Sequence, residues 1–316
     1  MIAPGLLSYG LYQPTTRVQT EPADLTPEAR ETMYQTGNST FARRVKSELA
    51  KPWEQQAWVG VSEGDSWFDY TPSFLENPFK GDLLAQLHQT GKFHIFNLGK
   101  AGDTLENMAY GTEVGSNARP IPCQLLTTVE TVRLHQPDFF LLSAGGNDFS
   151  GPDGVELEFY LNHATSGLPA LRRLRAQETF QNYVSQAMQT IINAVTQAKP
   201  DIKIFIHGYD YAMPDGRAVF RTPLGFNFIG PWLQPAFARN RIWPESARYQ
   251  VIRELIDMHN RVIEVLAKTN QNVFHIDCRG VLAQNSTDWA NELHPTVAGF
   301  GKIAARFEEV LLEVLS

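Results

Sequence analysis

The sequence predicts an α/β fold, a parallel sheet of five strands with helices on both faces. Three observations carry that expectation. Five short runs rich in Val, Ile, Leu and Phe recur along the chain, and apolar residues fill both of their faces, as buried strands require. Other segments place apolar residues at three- and four-residue spacing, the stripe of a half-buried helix. The two kinds of segment alternate, which is the pattern of βαβ units.

The strands are expected at 57–62 (AWVGVS), 94–98 (HIFNL), 138–144 (DFFLLSA), 202–207 (IKIFIH) and 273–276 (VFHI). The helices are expected at 82–89, 123–136, 171–199, 247–269 and 297–315. Pro137 and Pro200 stop the second and third of these, because proline cannot continue a helix. Residues 208–244 break the alternation. They carry five prolines, several glycines and many aromatics with no clean period. A loop that long is functional or disordered as a rule, and its aromatic content argues for order. It reads equally as a cover over the sheet edge and as a lid or wall over a site. The domain organisation expected is an N-terminal arm and helical extension over 1–50, then one domain over 51–316 with the aromatic-rich insertion at about 208–244.

Bulk properties narrow the function. With 316 residues, 43% hydrophobic and 19% charged, the chain can bury a sizeable core. A formal net charge of −7 argues against nucleic acid as a partner, since phosphate binding needs clustered Lys and Arg. No run approaches the length of a membrane span, and the first residues lack the basic start and apolar stretch of a secretory signal. A cytoplasmic location is therefore expected. Cys123 and Cys278 then read as reduced thiols, and the Asn38-Ser-Thr and Asn285-Ser-Thr sequons carry no weight.

Polar residues collect just beyond the strands. Ser66, in GDS, follows the first. Gly102, in AGDT, follows the second. Asn147, in GGND, follows the third. His294, in HPT, follows the fifth. In a parallel sheet ligands meet the C-terminal strand ends, so one crevice can hold all four. Each alone has an ordinary reading: a turn, one glycine among 23, an Asx turn, a helix cap. Together they fit acyl transfer. Serine needs a base to become a nucleophile, and histidine titrates in the right range. The backbone N–H groups of Ser66 and Gly102 and the Asn147 amide would supply three donors to an oxyanion.

Those blocks, GDS at 64–66, AGDT at 101–104, GGND at 145–148 and HP at 294–295, resemble in order the four blocks of the SGNH hydrolase superfamily, the GDSL esterases and lipases. The resemblance covers roughly 55–316. It implies a flavodoxin-like three-layer α/β/α sandwich, with Ser66 as nucleophile and donor, Gly102 and Asn147 completing the oxyanion hole, and His294 as base. It also implies no metal and no organic cofactor. Two positions depart from the family pattern. Its Asp three residues before the histidine is Asn291 here, and its Leu after the serine is Trp67. Asn291 holds the family position of the orienting residue, with Asp288, Glu292 and Asp210 as alternatives. Trp67 either shapes an acyl pocket or packs. The expected activity is hydrolysis of a small-molecule carboxylic ester through an acyl-enzyme. The alternatives are a carbohydrate acetylesterase or a catalytically weak ligand-binding protein on the same fold. A nucleotide binder is disfavoured, because no Gly-rich phosphate loop follows the first strand.

Overall fold

The structure, a computed structural model, describes residues 57–70, 81–112, 124–151, 155–221 and 227–316. The arm and helical extension expected over 1–50 lie outside these, as does Cys123. Five strands form one all-parallel sheet: β1 (Trp58–Gly64), β2 (Phe93–Asn97), β3 (Phe139–Ser143), β4 (Lys203–His207) and β7 (Val273–Ile276), in the order β2-β1-β3-β4-β7. Every expected run is a strand of this sheet, within one or two residues at its ends. The central strand β3 (FFLLS) is buried along its whole length. Each such Phe or Leu contributes about 1.5–3 kcal/mol by leaving water.

Helices cover both faces. On one, α1 (Leu83–Gln89) packs against the C-terminal helix α10 (Val297–Leu315). On the other, α2 (Leu105–Tyr110), α3 (Gln124–His135), α7 (Ser185–Ala198) and α9 (Glu245–Thr269) lie side by side. Short helices α4 (Asn147–Ser150) and α5 (Val155–Glu158) follow β3. The helix expected over 171–199 is not uniform. It runs as α6 (Arg173–Glu178), a π-helical turn at Thr179–Val184 and then α7. The apolar period runs through the turn, so nothing local announces it.

Residues 208–244 are more regular than their composition suggested. They hold a small antiparallel pair, β5 (Phe220–Arg221) with β6 (Asn227–Ile229), and a helix, α8 (Gln234–Arg239). The chain leaves β1 to β2 on one side and crosses to β3 on the other. This reversal opens a crevice at the C-terminal ends of β1 and β3, the place where open α/β sheets bind ligands. Among the described residues no helix is long and apolar enough to cross a membrane.

Candidate active site

β1 ends at Gly64 and the chain closes into one tight turn. The N–H groups of Phe68 and Asp69 donate to the Asp65 carbonyl at 3.0 and 3.1 Å. The Asp65 carboxylate holds that turn. It accepts the Trp67 N–H at 3.0 Å, the Ser143 hydroxyl at 2.8 Å and the Tyr209 hydroxyl. Asp65 is buried, and burial pushes its carboxyl up to about 6. Ser66 sits half-buried at the open end of the turn. Among the described residues its N–H has no acceptor.

The loop before α10 brings His294 to it. His294 Nε2 lies 2.7 Å from Ser66 Oγ. On the other side of the ring, Nδ1 lies 3.0 Å from Asn291 Oδ1, which also accepts the backbone N–H groups of Leu293 and His294, both at 3.0 Å. Only an oxygen accepts those two backbone donors, so the amide orientation of Asn291 is fixed. Nδ1 is then the protonated nitrogen, and Nε2 presents its lone pair to the serine hydroxyl. Asn291 Nδ2 donates to the Tyr70 hydroxyl at 2.7 Å, and the Tyr70 ring stacks on the imidazole at 4.1 Å and 13°. Burial pulls the His294 imidazole down to about 3.

No carboxylate bonds to His294 among the described residues. Asp288 accepts the Ala283 N–H at 2.8 Å and pairs with Lys302 at 2.7 Å. Asp210 accepts the N–H groups of Gly280 and Leu282 at 2.7 Å each. Glu292, wholly buried, takes four backbone donors: Gly216 and Gln234 on one oxygen at 3.0 and 2.9 Å, Trp232 and Leu233 on the other at 2.6 and 2.7 Å. Two of these, Leu233 and Gln234, are the N-cap and first amides of α8, which favour a negative charge. Glu292 thus fastens the aromatic segment to the histidine loop.

The loops after β2 and β3 are tied together. Asn147 opens α4, and its amide donates to the Asp103 carbonyl at 2.7 Å. Asp148 accepts the Leu105 and Glu106 N–H groups at 2.8 and 3.3 Å, at the start of α2, and bonds the Tyr183 hydroxyl. Gly102 lies one residue from that junction. Its φ of +82° is a conformation that favours glycine, nothing lies within 4 Å of where a Cβ would be, and among the described residues its N–H has no acceptor.

A cavity of about 90 Å³ opens beside Ser66, Asn147 and His294. Phe149, Leu157, Phe180, Leu233, Ile252 and Leu255 make its far wall. Phe180 comes from the π-helical turn and stacks on Phe149 at 4.3 Å. Gly102 and Asn291 do not line the cavity: Gly102 is on the exposed rim and Asn291 lies behind the histidine. Of the aromatic segment 208–244, Phe237 is buried in the core and does not line the cavity. The side chains of Phe220, Phe226 and Phe228 lie outside the described residues. Trp67 combines both readings given to it. It lines the cavity, and its indole N–H donates to the Leu293 carbonyl at 3.1 Å.

Sequence reasoning passed over Tyr70 and Tyr209. Tyr209 sits at φ +63° just past β4, accepts the Gly146 N–H at 3.1 Å and bonds Asp65, joining the loops after β1, β3 and β4. A non-glycine residue held at positive φ is a mark of a constrained site, but no sequence pattern shows it. Tyr70, four residues past the serine in WFDY, carried no signal beyond its aromatic type.

A family model described as the GDSL-like lipase/acylhydrolase family matches residues 63–301. No curated protein matches the chain. Among solved structures, the lipase Lip_vut3 from a goat rumen metagenome is 12% identical with a TM-score of 0.51, over 82% of this chain and 100% of that one. The Clostridium thermocellum family 3 carbohydrate esterase is 15% identical with a TM-score of 0.43, over 82% and 97%. Phospholipase A1 from Streptomyces albidoflavus NA297 is 13% identical with a TM-score of 0.45, over 80% and 99%.

Proposed function

Because the chain belongs to the GDSL-like lipase/acylhydrolase family and is a carboxylic ester hydrolase, we propose that Ser66 is its nucleophile and His294 its general base, with Asn291 as the residue that orients the base. The observation that carries this is the chain of contacts from Ser66 Oγ to His294 Nε2 at 2.7 Å and from His294 Nδ1 to Asn291 Oδ1 at 3.0 Å. As Oγ bonds the ester carbonyl carbon, its proton passes to Nε2, and the C=O π pair moves onto the oxygen. The Ser66 N–H, the Gly102 N–H and the Asn147 amide are the donors assigned to that oxyanion. Collapse breaks the bond to the alcohol oxygen, which leaves with the proton from Nε2. A water then gives a proton to Nε2 as its oxygen bonds the acyl carbon, and collapse breaks the bond to Oγ, which takes that proton from Nε2, freeing the carboxylic acid and Ser66.

The apolar cavity beside Ser66 is assigned to the acyl group. Its 90 Å³ compares with the roughly 150 Å³ of an engineered apolar cavity that takes benzene, so the substrates favoured are esters of short to medium alkyl acids. A panel of p-nitrophenyl esters from acetate to palmitate, with a fluorophosphonate label on the wild type and Ser66→Ala, tests the reading. Rates peaking at butyrate or hexanoate with labelling confined to Ser66 are expected. A preference for acetylated sugars would move the substrate to carbohydrate esters. Absence of labelling would make the chain a binding protein.

A further inference from the structure

We propose that the Tyr70 ring face takes over the charge-stabilising part of the missing triad carboxylate, holding the imidazolium that forms on His294 as Ser66 gives up its proton. The proposal rests on the assignment of Ser66 and His294 given above.

The geometry is that of a cation over a π-face. The two rings are nearly parallel, 13° apart, with centroids 4.1 Å apart, and a cation within about 6 Å of a phenol ring face is attracted by its quadrupole, most strongly where water is excluded. His294 and Tyr70 are both buried. Trp232 meets the imidazole edge to face at 5.4 Å.

Among the described residues, the carboxylates near the two rings bond other groups, Asp69 among them, which accepts the Ala101 N–H at 3.3 Å. Asp65 faces Ser143 and Tyr209. Glu292 faces the amides of 216 and 232–234. Asp288 faces Lys302 and Ala283, and Asp82 caps α1 and accepts the Tyr70 N–H at 3.2 Å. Among the described residues, what the imidazolium meets directly is the Ser66 oxygen at Nε2, a neutral amide oxygen at Nδ1, the Trp232 ring and the phenol face. Asn291 fixes the tautomer but brings no charge. The same amide also donates to the Tyr70 hydroxyl at 2.7 Å, so one residue sets both the ring's in-plane partner and the position of the aromatic above it. Tyr70 is therefore a positioning residue that acts through His294 and touches no substrate atom in this scheme.

The test weakens the ring quadrupole while keeping its shape. Tyr70→Phe is the reference, and phenylalanine analogues carrying one, two and five ring fluorines replace it at position 70 by nonsense suppression. The readouts are kcat and KM for p-nitrophenyl butyrate, and the acid limb of kcat/KM. With the stacking attraction lost, kcat is expected to fall stepwise by roughly tenfold across the series at constant KM, which is about 1.36 kcal/mol. The acid limb is expected to move down by about one pH unit, because the free-enzyme base is reported there. A kcat and acid limb that ignore fluorination would overturn the proposal. So would a fall in kcat matched by a fall in melting temperature, which would mark Tyr70 as packing alone. Ser66→Ala is run beside the series: retained hydrolysis there would sink the underlying assignment, whatever the fluorinated series does.

Discussion

The serine loop, 64–70, and the histidine loop, 288–295, solve the same problem with the same device. Each carries a buried carboxylate next in sequence to a site residue, Asp65 beside Ser66 and Glu292 beside Asn291. Each carboxylate is turned away from His294. Asp65 gathers a hydroxyl from β3, a hydroxyl from just past β4 and its own turn. Glu292 gathers four amides from the aromatic segment. The difference lies in what each binds across the fold: side-chain hydroxyls in the first case, backbone amides in the second. The charges hold the two loops, and the contacts of the proposed chemistry run through neutral groups.

The first way to break the comparison is to remove the pair that bridges the loops. Ser66→Ala and His294→Ala are each expected to abolish nearly all hydrolysis, and the double variant to be little worse, leaving a residual ~10³–10⁴-fold over water. Losses that multiplied in steady-state kinetics would show that the two do not act as one unit.

Next comes the orienter. Asn291→Ala leaves His294 Nδ1 without its acceptor and is expected to lower kcat on the order of 10²-fold, since tautomer and orientation are then unfixed. Asn291→Asp is expected to keep activity and to move the acid limb of the pH–rate profile upward, because an adjacent carboxylate favours the imidazolium. An acid limb that stayed put would mean that Nδ1 does not face residue 291 in solution.

The anchors should cost stability before they cost chemistry. Asp65→Ala strands two hydroxyls and one amide, and Glu292→Ala strands four amides. Each is expected to lose about 2–4 kcal/mol in urea unfolding, from the desolvation of unpaired buried groups. Glu292→Ala should also slow hydrolysis of longer acyl esters more than acetate, as Leu233 in the cavity wall loses its tie. Equal slowing of both esters would separate Glu292 from the pocket.

The smallest effect is on pH dependence. Burial raises Asp65 to about 6 and Glu63 to about 8, while Glu63 bonds Thr128 and Gln124. A raised acid binds more protons in the folded than in the unfolded state. Its contribution is therefore fully present below the unfolded pKa and is lost as pH rises through the folded value. Above about pH 6.5, where the buried, neutral His294 and His259 no longer add a slope of opposite sign, stability should decline toward pH 8, and Glu63→Gln, which mimics the protonated acid, should flatten that decline in urea melts. A wild-type slope of opposite sign would place Glu63 in its charged form.

The sheet was legible because its signal is local. Five runs with apolar residues on both faces had few other ways to fold, and the loops after them inherited their positions. The fastening of 208–244 was not legible, because it comes from distance. The amides on Glu292 lie 58–76 residues away in sequence, and the Arg217 guanidinium on the Trp289 carbonyl lies 72 away. No periodicity encodes such contacts. Ser66, Asn147 and His294 could be picked out by their places after strands. Tyr70 and Tyr209 matter only through what they touch.

One consequence follows from the π-helical turn at Thr179–Val184, where the Ser185 N–H reaches back to Phe180. Such a turn houses one residue more than an α-helix would. Deleting that extra residue would restore the α register with α6 and α7 still in phase, whereas deleting one residue within α7 would rotate everything on its N-terminal side by about 100° against the rest of the helix. In the second case Phe180 would leave the cavity and Tyr183 would leave Asp148. The depth of the pocket is thus recorded as helical phase, a quantity that changes by insertion and deletion and that no exchange of one side chain for another can reset.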